Sequence, residues 1–147
     1  MSIYFDPSLL VALYLPEQRT PVLREWLRGI RSPVGLNVWQ ELEFKNAARQ
    51  KARRGEADEA DLARMFRVFD DDCLDRRMIR RTVPWEAVFD EGERLSRKFA
   101  ISTECRSFDL IHVAIAIISG LPEFATRDHG QGELARAAKL RVINLPR

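Results

Sequence analysis

The segment SFDLIHVAIAIISGLPEFAT, residues 107–126, decides the fold class. Its first part, residues 107–119, is almost entirely apolar and predicts a helix that ends at Gly120. Residues 123–126 then predict a short buried strand. Asp109 and His112 are the only strongly polar positions of the helix, which predicts that it is buried on most sides. A buried helix followed directly by a buried strand is typical of α/β domains.

The same alternation of strands and helices extends over the rest of the chain. Apolar runs and helical periodicity predict the further elements, with Pro7 and Pro84 opening helices and Gly55 ending one. We therefore predict an α/β domain with a mainly parallel sheet and helices on both faces. The predicted strands are residues 3–5, 33–38, 78–83, 123–126 and 141–145, and the predicted helices are residues 7–15, 18–30, 39–54, 56–74, 84–99, 107–119 and 131–139.

Length and composition exclude several classes of protein. A chain of 147 residues predicts a single domain over residues 1–147, and a net charge of +2 excludes a strongly basic nucleic-acid-coating protein. Cys73 and Cys105 lie far apart in the sequence, which excludes a disulfide framework or a cysteine-rich zinc site and suits a reducing cytoplasm. The N-terminus lacks a basic signal-peptide region, and the longest apolar run, residues 110–118, is too short to span a bilayer.

Acidic residues follow several of the predicted strands. Asp6 comes directly after the first strand and Asp128 one residue past the strand at 123–126, while Glu41, Glu43 and Asp109 lie in the first turns of helices. Because parallel α/β sheets build their sites at the carboxyl ends of the strands, we expect these acids to share one edge. This convergence is the main functional signal in the sequence.

Each acid also has a structural interpretation when taken alone. Asp6 could cap the helix that begins at Pro7, Asp109 could interact with its helix dipole, and Asp128 could be a turn residue. Glu41 and Glu43 could lie on a solvated helix face. None of these interpretations explains why four acids should share one sheet edge.

Clustered carboxylates predict a hard divalent cation. Without one they would repel each other and raise each other's pKa values, whereas Mg²⁺ or Mn²⁺ takes oxygen ligands and keeps several waters. Such a cation activates water and stabilises charge on a phosphoryl oxygen, so phosphodiester hydrolysis is the reaction class it favours.

Two competing motifs are rejected. Residues 130–135, GQGELA, match a dinucleotide-binding fingerprint, but no acid follows Glu133 to bind a ribose, and Asp128 would repel a pyrophosphate. His112 and His129 do not form a His-Glu-x-x-His zinc site. For His112 a hydrogen-bonded role in the core or at the rim of the site is favoured over metal ligation.

At this point the chain resembles the PIN domain, and within it the ribonuclease toxins of VapBC toxin–antitoxin modules. Four segments carry the resemblance: IYFDPSLLV at 3–11, ELEFKNA at 41–47, SFDLIHVAIA at 107–116, and FATRD at 124–128 followed by LARAAKLRV at 134–142. The third and fourth segments together, with their acids 19 residues apart, are the most specific.

The resemblance implies a flap-nuclease-like three-layer α/β/α sandwich and Mg²⁺- or Mn²⁺-dependent endonucleolytic cleavage of RNA. It implies that the catalytic, metal-holding quartet is Asp6, Glu43, Asp109 and Asp128. Glu41 and Glu43 point about 200° apart at helical pitch, so one of them faces the metal, and the family pattern favours Glu43.

The resemblance also suggests residues that support the quartet. Many relatives have Ser or Thr directly after the first Asp, where this chain has Pro7, although Ser8 is present and could orient Asp6. Thr126 matches the family and could have the same role. Arg127 is the candidate for binding the substrate, together with two basic clusters: Arg49, Lys51, Arg53 and Arg54, and Arg76, Arg77, Arg80 and Arg81.

A VapC-like toxin would be held inactive by a cognate antitoxin, with a homodimer expected. The apolar face Leu62, Met65, Phe66 and Phe69 could form a dimer or antitoxin groove, with core packing as the alternative. The rival functions are a PIN-like RNA-processing nuclease without an antitoxin and a non-catalytic PIN-like interaction domain.

Overall fold

Strand pairing divides the chain into two parallel sheets. The computed structural model describes residues 3–146, and its contacts group these residues into two units. The first unit comprises residues 7–81 and 145–146, and the second comprises residues 3–6 and 82–144. In chain order, the elements are β1 (Ile3–Phe5), α1 (Pro7–Tyr14), α2 (Thr20–Gly29), β2 (Val34–Leu36), α3 (Val38–Arg53), α4 (Glu59–Leu74), β3 (Met78–Arg80), α5 (Trp85–Phe99), α6 (Ser107–Ile118), β4 (Glu123–Ala125), α7 (His129–Ala137) and β5 (Arg141–Val142).

The predicted α/β class is confirmed, and all the strand pairs in the described residues are parallel. The second unit contains a sheet of order β1-β4-β5, and the first unit contains the pair β2-β3. The sequence predicted one sheet, whereas the hydrogen bonds form two. The strands are only two or three residues long, so each carries few ladder bonds.

Helix starts differ from prediction where a capping residue ends the preceding loop. Asp58 accepts a hydrogen bond from the backbone of Asp61, so α4 begins at Glu59 rather than at residue 56. Asp128 caps α7 in the same way, and that helix begins at His129 rather than at residue 131. Capping depends on the local φ and ψ angles, which helical periodicity does not report.

The core of the first unit is built around three aromatic rings. Tyr14, Phe44 and Phe69 lie with ring centroids 5.0–5.6 Å apart, and Phe44 and Phe69 are fully buried. The Tyr14 hydroxyl donates to Asp72 Oδ2 at 2.7 Å, and the Arg24 guanidinium donates to the same oxygen at 2.8 Å. Burial raises the pKa of Tyr14 far above its ordinary value, so the hydroxyl stays protonated and remains a donor.

The core of the second unit places β1 and β4 against apolar helices. Tyr4 stacks on Phe124 with ring centroids 5.1 Å apart, and helix α6 buries four consecutive apolar side chains from Val113 to Ala116. Helix α5 contributes Val88 and Leu95, both fully buried. The predicted burial of α6 on most sides is therefore confirmed, and the packing fixes the helix whose first turn carries Asp109.

Candidate active site

Two polar residues meet where β1 and β4 end in the second unit. Phe5 pairs with Ala125 in the parallel register, and the Asp6 backbone N–H donates to the Ala125 carbonyl at 2.9 Å. This register places Asp6 beside Thr126, and the Thr126 hydroxyl donates to Asp6 Oδ2 at 3.1 Å. Both residues are buried. The strand register thus brings together two side chains that lie 120 positions apart in the sequence.

The same threonine connects Asp6 to the next aspartate. Thr126 Oγ1 accepts a hydrogen bond from the Asp128 backbone N–H at 2.9 Å while it donates to Asp6. The Asp128 carboxylate turns towards α7, where Oδ1 accepts from the Gln131 backbone N–H at 2.8 Å. Asp128 therefore caps the helix, as its structural interpretation predicted, and it also belongs to the polar group around Asp6.

Gln131 extends this group to the third aspartate. Its side-chain Nε2 donates to Asp109 Oδ1 at 3.3 Å, and Asp109 Oδ2 accepts from the Arg106 backbone N–H at 2.8 Å. A continuous path of hydrogen bonds therefore runs from Asp6 through Thr126, Asp128 and Gln131 to Asp109. We call these five residues the aspartate network.

The donors to Asp109 and Asp128 within the described residues are neutral. Asp109 and Asp128 form no ion pair with any residue between 3 and 146, and their hydrogen bonds come from backbone N–H groups and one amide side chain. Burial raises the pKa of the neighbouring Cys105 thiol, and the Asp109 charge raises it further. The negative charge of these aspartates is thus not neutralised by the described part of the chain.

Gln131 is a site residue that sequence reasoning missed. It appeared only as a helix start and as part of a rejected motif, yet its side chain is buried and its Nε2 binds Asp109. Its Oε1 is buried without a hydrogen-bond partner among the described residues, which is costly for a carbonyl oxygen. The available signal was its position three residues after Asp128, where a capping side chain meets the helix backbone.

The network fits a hard cation by its donor chemistry, although it is not a preassembled cage. Carboxylate and amide oxygens are the ligands that Mg²⁺ and Mn²⁺ prefer, and the buried Gln131 Oε1 is an acceptor that the chain leaves unused. Among residues 3–146, no three His, Cys, Asp or Glu side chains are grouped closely enough to hold one metal ion. Thr126 and Gln131 separate the aspartates instead.

The family model of the PIN domain matches residues 3–139, which is nearly the whole chain. The chain belongs to the PIN domain family. PIN domains are typically nucleases that use divalent metal ions, so the family gives this PIN domain its coarse activity class, a nuclease-type hydrolase. The predicted recognition is confirmed at the level of the family.

A structural comparison agrees with the fold. A chain in the crystal structure of FitAcB from Neisseria gonorrhoeae aligns with a TM-score of 0.67 and 18% identity, covering 97% of this PIN domain and 96% of that chain. At this identity the likeness supports the fold alone. A search of curated proteins found no match.

The two glutamates on α3, in the first unit, differ in their surroundings. Glu41 accepts from Arg80 Nε and Nη2 at 2.8 and 2.9 Å and from Lys45 Nζ at 2.7 Å. Hydrogen bonding to Arg80 is the main cause that lowers the pKa of Glu41 to about 2. Glu43 is half-buried on the same helix. Glu41 is therefore committed to an ion-pair network, which was not visible in the sequence.

The remaining predicted positions are accounted for as follows. His112 is buried, and its Nδ1 lies 2.6 Å from the Tyr4 hydroxyl, in agreement with a hydrogen-bonded core histidine. Ser8 is half-buried in the first turn of α1, and Arg127 is exposed between Thr126 and Asp128. The GQGELA motif starts inside α7 rather than in a strand-to-helix turn, which agrees with its rejection.

In each of the two basic clusters, some residues form ion pairs with nearby acids. Lys51 pairs with Glu17 and Glu56. Arg80 pairs with Glu41 at the carboxyl end of β3, whereas Arg76 and Arg77 precede that strand.

The apolar face of α4 is mainly a core face. Met65 and Phe69 are buried in the first unit, while Leu62 and Phe66 are half-buried. Core packing therefore accounts for the centre of the face that could have formed a dimer or antitoxin groove.

Two predictions from composition can also be compared with the structure. Cys73 and Cys105 are free thiols. Within residues 3–146, no helix has both the length and the apolar character needed to cross a bilayer.

Proposed function

We propose that this PIN domain is a Mg²⁺- or Mn²⁺-dependent endoribonuclease that hydrolyses RNA phosphodiester bonds. The observation that carries the proposal is the aspartate network, in which the Asp109 and Asp128 carboxylates accept hydrogen bonds from neutral donors within residues 3–146 and are connected to Asp6 through Thr126. Uncompensated carboxylates at one edge repel each other, and a divalent cation would relieve that repulsion.

The proposed roles follow from the contacts of each residue. Asp6, Asp109 and Asp128 are the residues that would hold the cation, and Glu43 would be the fourth acid of the quartet because Glu41 is already paired with Arg80 and Lys45. When bound, the cation supplies an activated water and stabilises charge on the phosphoryl oxygens.

The supporting residues position the carboxylates and the substrate. Thr126 orients Asp6 through its hydroxyl, and Gln131 holds Asp109. Ser8 and His112 are proposed to support the same group, and the exposed Arg127 is proposed to contact substrate phosphate. We treat residues 1–147 as one nuclease domain.

The cation and the carboxylates are tested together by RNA cleavage. Wild type, Asp6→Asn and Asp109→Asn are incubated with structured RNAs in Mg²⁺, in Mn²⁺ and with a chelator. We expect cleavage by the wild type only when metal is present, and a loss of at least about 100-fold in both variants. Asp90→Asn, which changes an exposed carboxylate on α5, is the matched control and keeps wild-type cleavage. Equal cleavage by all four proteins, or cleavage with the chelator, would contradict the proposal.

We further propose that the chain is the toxin of a VapBC-type pair, acting in the cytoplasm as a homodimer that a cognate antitoxin inhibits. The support is the resemblance of its four motif segments to VapC-type ribonucleases. A small DNA-binding protein encoded next to this chain, which forms a complex with it and abolishes its cleavage, is the expected finding. If RNA cleavage is not inhibited by any small DNA-binding protein encoded next to this chain, an RNA-processing nuclease without an antitoxin is favoured instead.

A further inference from the structure

A basic groove lies in the first unit at the amino ends of β2 and β3. Its volume is about 380 Å³, and it runs between the end of α2, the segment leading into β2 and the turn after α4. We call it the arginine groove, after the four arginines that line it: Arg28, Arg31, Arg76 and Arg77. Glu43 belongs to α3, which begins after the opposite, carboxyl end of β2.

The backbone around the groove is held in place by hydrogen bonds. The Val34 N–H donates to the Arg77 carbonyl at 2.8 Å, and the Arg77 N–H donates to the Asp72 carbonyl at 2.8 Å. The Arg76 N–H donates to the Cys73 carbonyl at 3.2 Å. These hydrogen bonds fix the backbone positions of Arg76 and Arg77 relative to the segment that leads into β2.

Three of the four arginines in the groove are not neutralised. Arg31, Arg76 and Arg77 form no ion pair with any residue in the part of the chain that the structure describes, whereas Arg28 pairs with Glu25 at 2.6 Å. Asp75 is the single acid in the lining. Four arginines and one aspartate give a local formal charge of +3, compared with +2 for the whole chain. The lining therefore carries a local excess of positive charge, and a concave surface strengthens the resulting field.

A neighbouring groove shows that this arrangement is not general. It has a similar volume of about 370 Å³, and its lining contains Arg24 and Glu17. There Arg24 pairs with Asp72, and Glu17 pairs with Lys51. The charged residues of this second groove, which shares Arg28 with the arginine groove, are thus all paired within the fold.

The ends of two helices account for only part of the arginine groove. Helices α2 and α4 both end here, and a cation near each carboxyl end is favourable. Arg76, however, occupies the first position after the cap of α4 with a φ of 60°, where glycine is the preferred residue. Lys139 holds the equivalent position after the cap of α7 with a φ of 67°, so a basic residue there is a helix-end feature of this chain. The groove is therefore distinguished by the convergence of Arg31 and Arg77 with Arg76, not by Arg76 alone.

We propose that the arginine groove binds phosphate groups of the RNA backbone, as a second contact area away from the carboxyl ends of the strands. This rests on the proposed function insofar as it takes RNA as the ligand. The planar guanidinium binds phosphate oxygens through two parallel hydrogen bonds. An acidic protein segment fits less well because four arginines line the groove and its apolar residues Leu27 and Val34 are buried, which leaves only Ile30 and Pro33 as accessible apolar contacts in the lining.

The test measures RNA binding without cleavage. A fluorescein-labelled transcript the size of a transfer RNA is titrated with protein in chelator, at salt concentrations from about 50 to 300 mM. The variant is Arg31→Gln/Arg77→Gln, which avoids the left-handed position Arg76. The control is Arg94→Gln/Arg97→Gln on α5, which removes the same formal charge from two exposed, paired arginines.

We expect the groove variant to reduce the slope of log Kd against log salt by about 2 and to weaken binding roughly tenfold at the lowest salt. The control keeps the wild-type slope, and Arg31→Lys/Arg77→Lys recovers most of it because the charge is retained. Thermal unfolding of each variant verifies that the fold is intact. A groove variant with the slope and affinity of the control would overturn the proposal.

Two further outcomes separate this inference from its alternatives. If the groove variant binds RNA like the wild type but loses binding to a poly-glutamate peptide, the ligand is an acidic protein segment and the RNA proposal is wrong. If the wild type binds RNA through the groove but does not cleave it in Mg²⁺, the groove stands while the proposed nuclease function fails.

Discussion

The carboxylates of this PIN domain have two kinds of hydrogen-bond partner, which differ in charge. Glu41 in the first unit is surrounded by cations, with Arg80 and Lys45 at 2.7–2.9 Å. Within residues 3–146, Asp109 and Asp128 in the second unit accept hydrogen bonds only from neutral donors, at 2.8–3.3 Å. Both accept hydrogen bonds from defined partners, but among the described residues only Glu41 has its charge compensated by cations.

The difference separates a structural carboxylate from one that can bind a cation. A guanidinium that already satisfies both oxygens of a carboxylate must be displaced before a metal can bind there. Neutral donors orient a carboxylate without cancelling its charge, so the site keeps its attraction for a divalent cation. Proximity of acids in the sequence, as for Glu41 and Glu43, does not reveal this difference.

The largest effect is expected from exchanging one carboxylate of each group for its amide. Asp128→Asn should reduce RNA cleavage by at least about 100-fold because a charge that holds the cation is removed. Asparagine caps helices as well as aspartate, so the free energy of unfolding should change by less than about 0.5 kcal/mol.

Glu41→Gln should show the reverse pattern. Cleavage is retained, and the free energy of unfolding falls by about 1 kcal/mol because partly exposed ion pairs are lost. Cleavage assays and chemical denaturation of both variants measure the comparison. The distinction between the two groups is wrong if Glu41→Gln abolishes cleavage while Asp128→Asn does not.

A smaller effect is expected from removing the amide that connects two of the aspartates. Gln131→Leu eliminates the hydrogen bond to Asp109 and should weaken Mn²⁺ binding by about 10–100-fold. The unfolding free energy should not fall in parallel, since a buried and unpartnered carbonyl oxygen is removed as well.

Mn²⁺ binding is followed by electron paramagnetic resonance titration, which does not depend on cleavage. Gln50→Leu on α3 is the matched control, because Gln50 contacts Arg53 and lies outside the aspartate network. Unchanged Mn²⁺ affinity in Gln131→Leu would exclude Gln131 from the metal site.

The smallest effect is a dependence of stability on pH that originates at Glu41. Its pKa falls from 4.5 to about 2 on folding, chiefly because Arg80 donates to it. A lowered pKa stabilises the folded state above the unfolded value, and this contribution is lost as the pH falls from about 4.5 towards 2.

The melting temperature of the wild type should therefore exceed that of Glu41→Gln at pH 6, and the gap should close as the pH falls towards 2. Circular dichroism at several pH values follows this gap. A gap that is independent of pH would contradict the assigned ion pair.

Most of the fold could be predicted because its signals are local. The apolar run of α6 and the alternation of strands and helices depend on neighbouring residues, and the structure confirms each predicted element. Boundaries moved by up to three residues, as at Glu59, because a capping side chain acts through local backbone angles.

The candidate site could be predicted only in part. The positions of Asp6, Asp109 and Asp128 after strands and in a first helical turn were visible from the sequence. The roles of Gln131 and Glu41 were not, since each depends on a partner far along the chain: Asp109 lies 22 residues from Gln131, and Arg80 lies 39 residues from Glu41.

The sequence by itself determined the α/β class, the family and the acids at the carboxyl ends of the strands, because apolar periodicity and strand-end position are properties of short segments. Only the tertiary structure decided which carboxylates are neutralised, which arginines remain unpaired around a groove, and which buried amide connects the aspartates. The physical reason is that charge compensation and hydrogen bonding depend on distances of about 3 Å between residues that the chain brings together only when it folds.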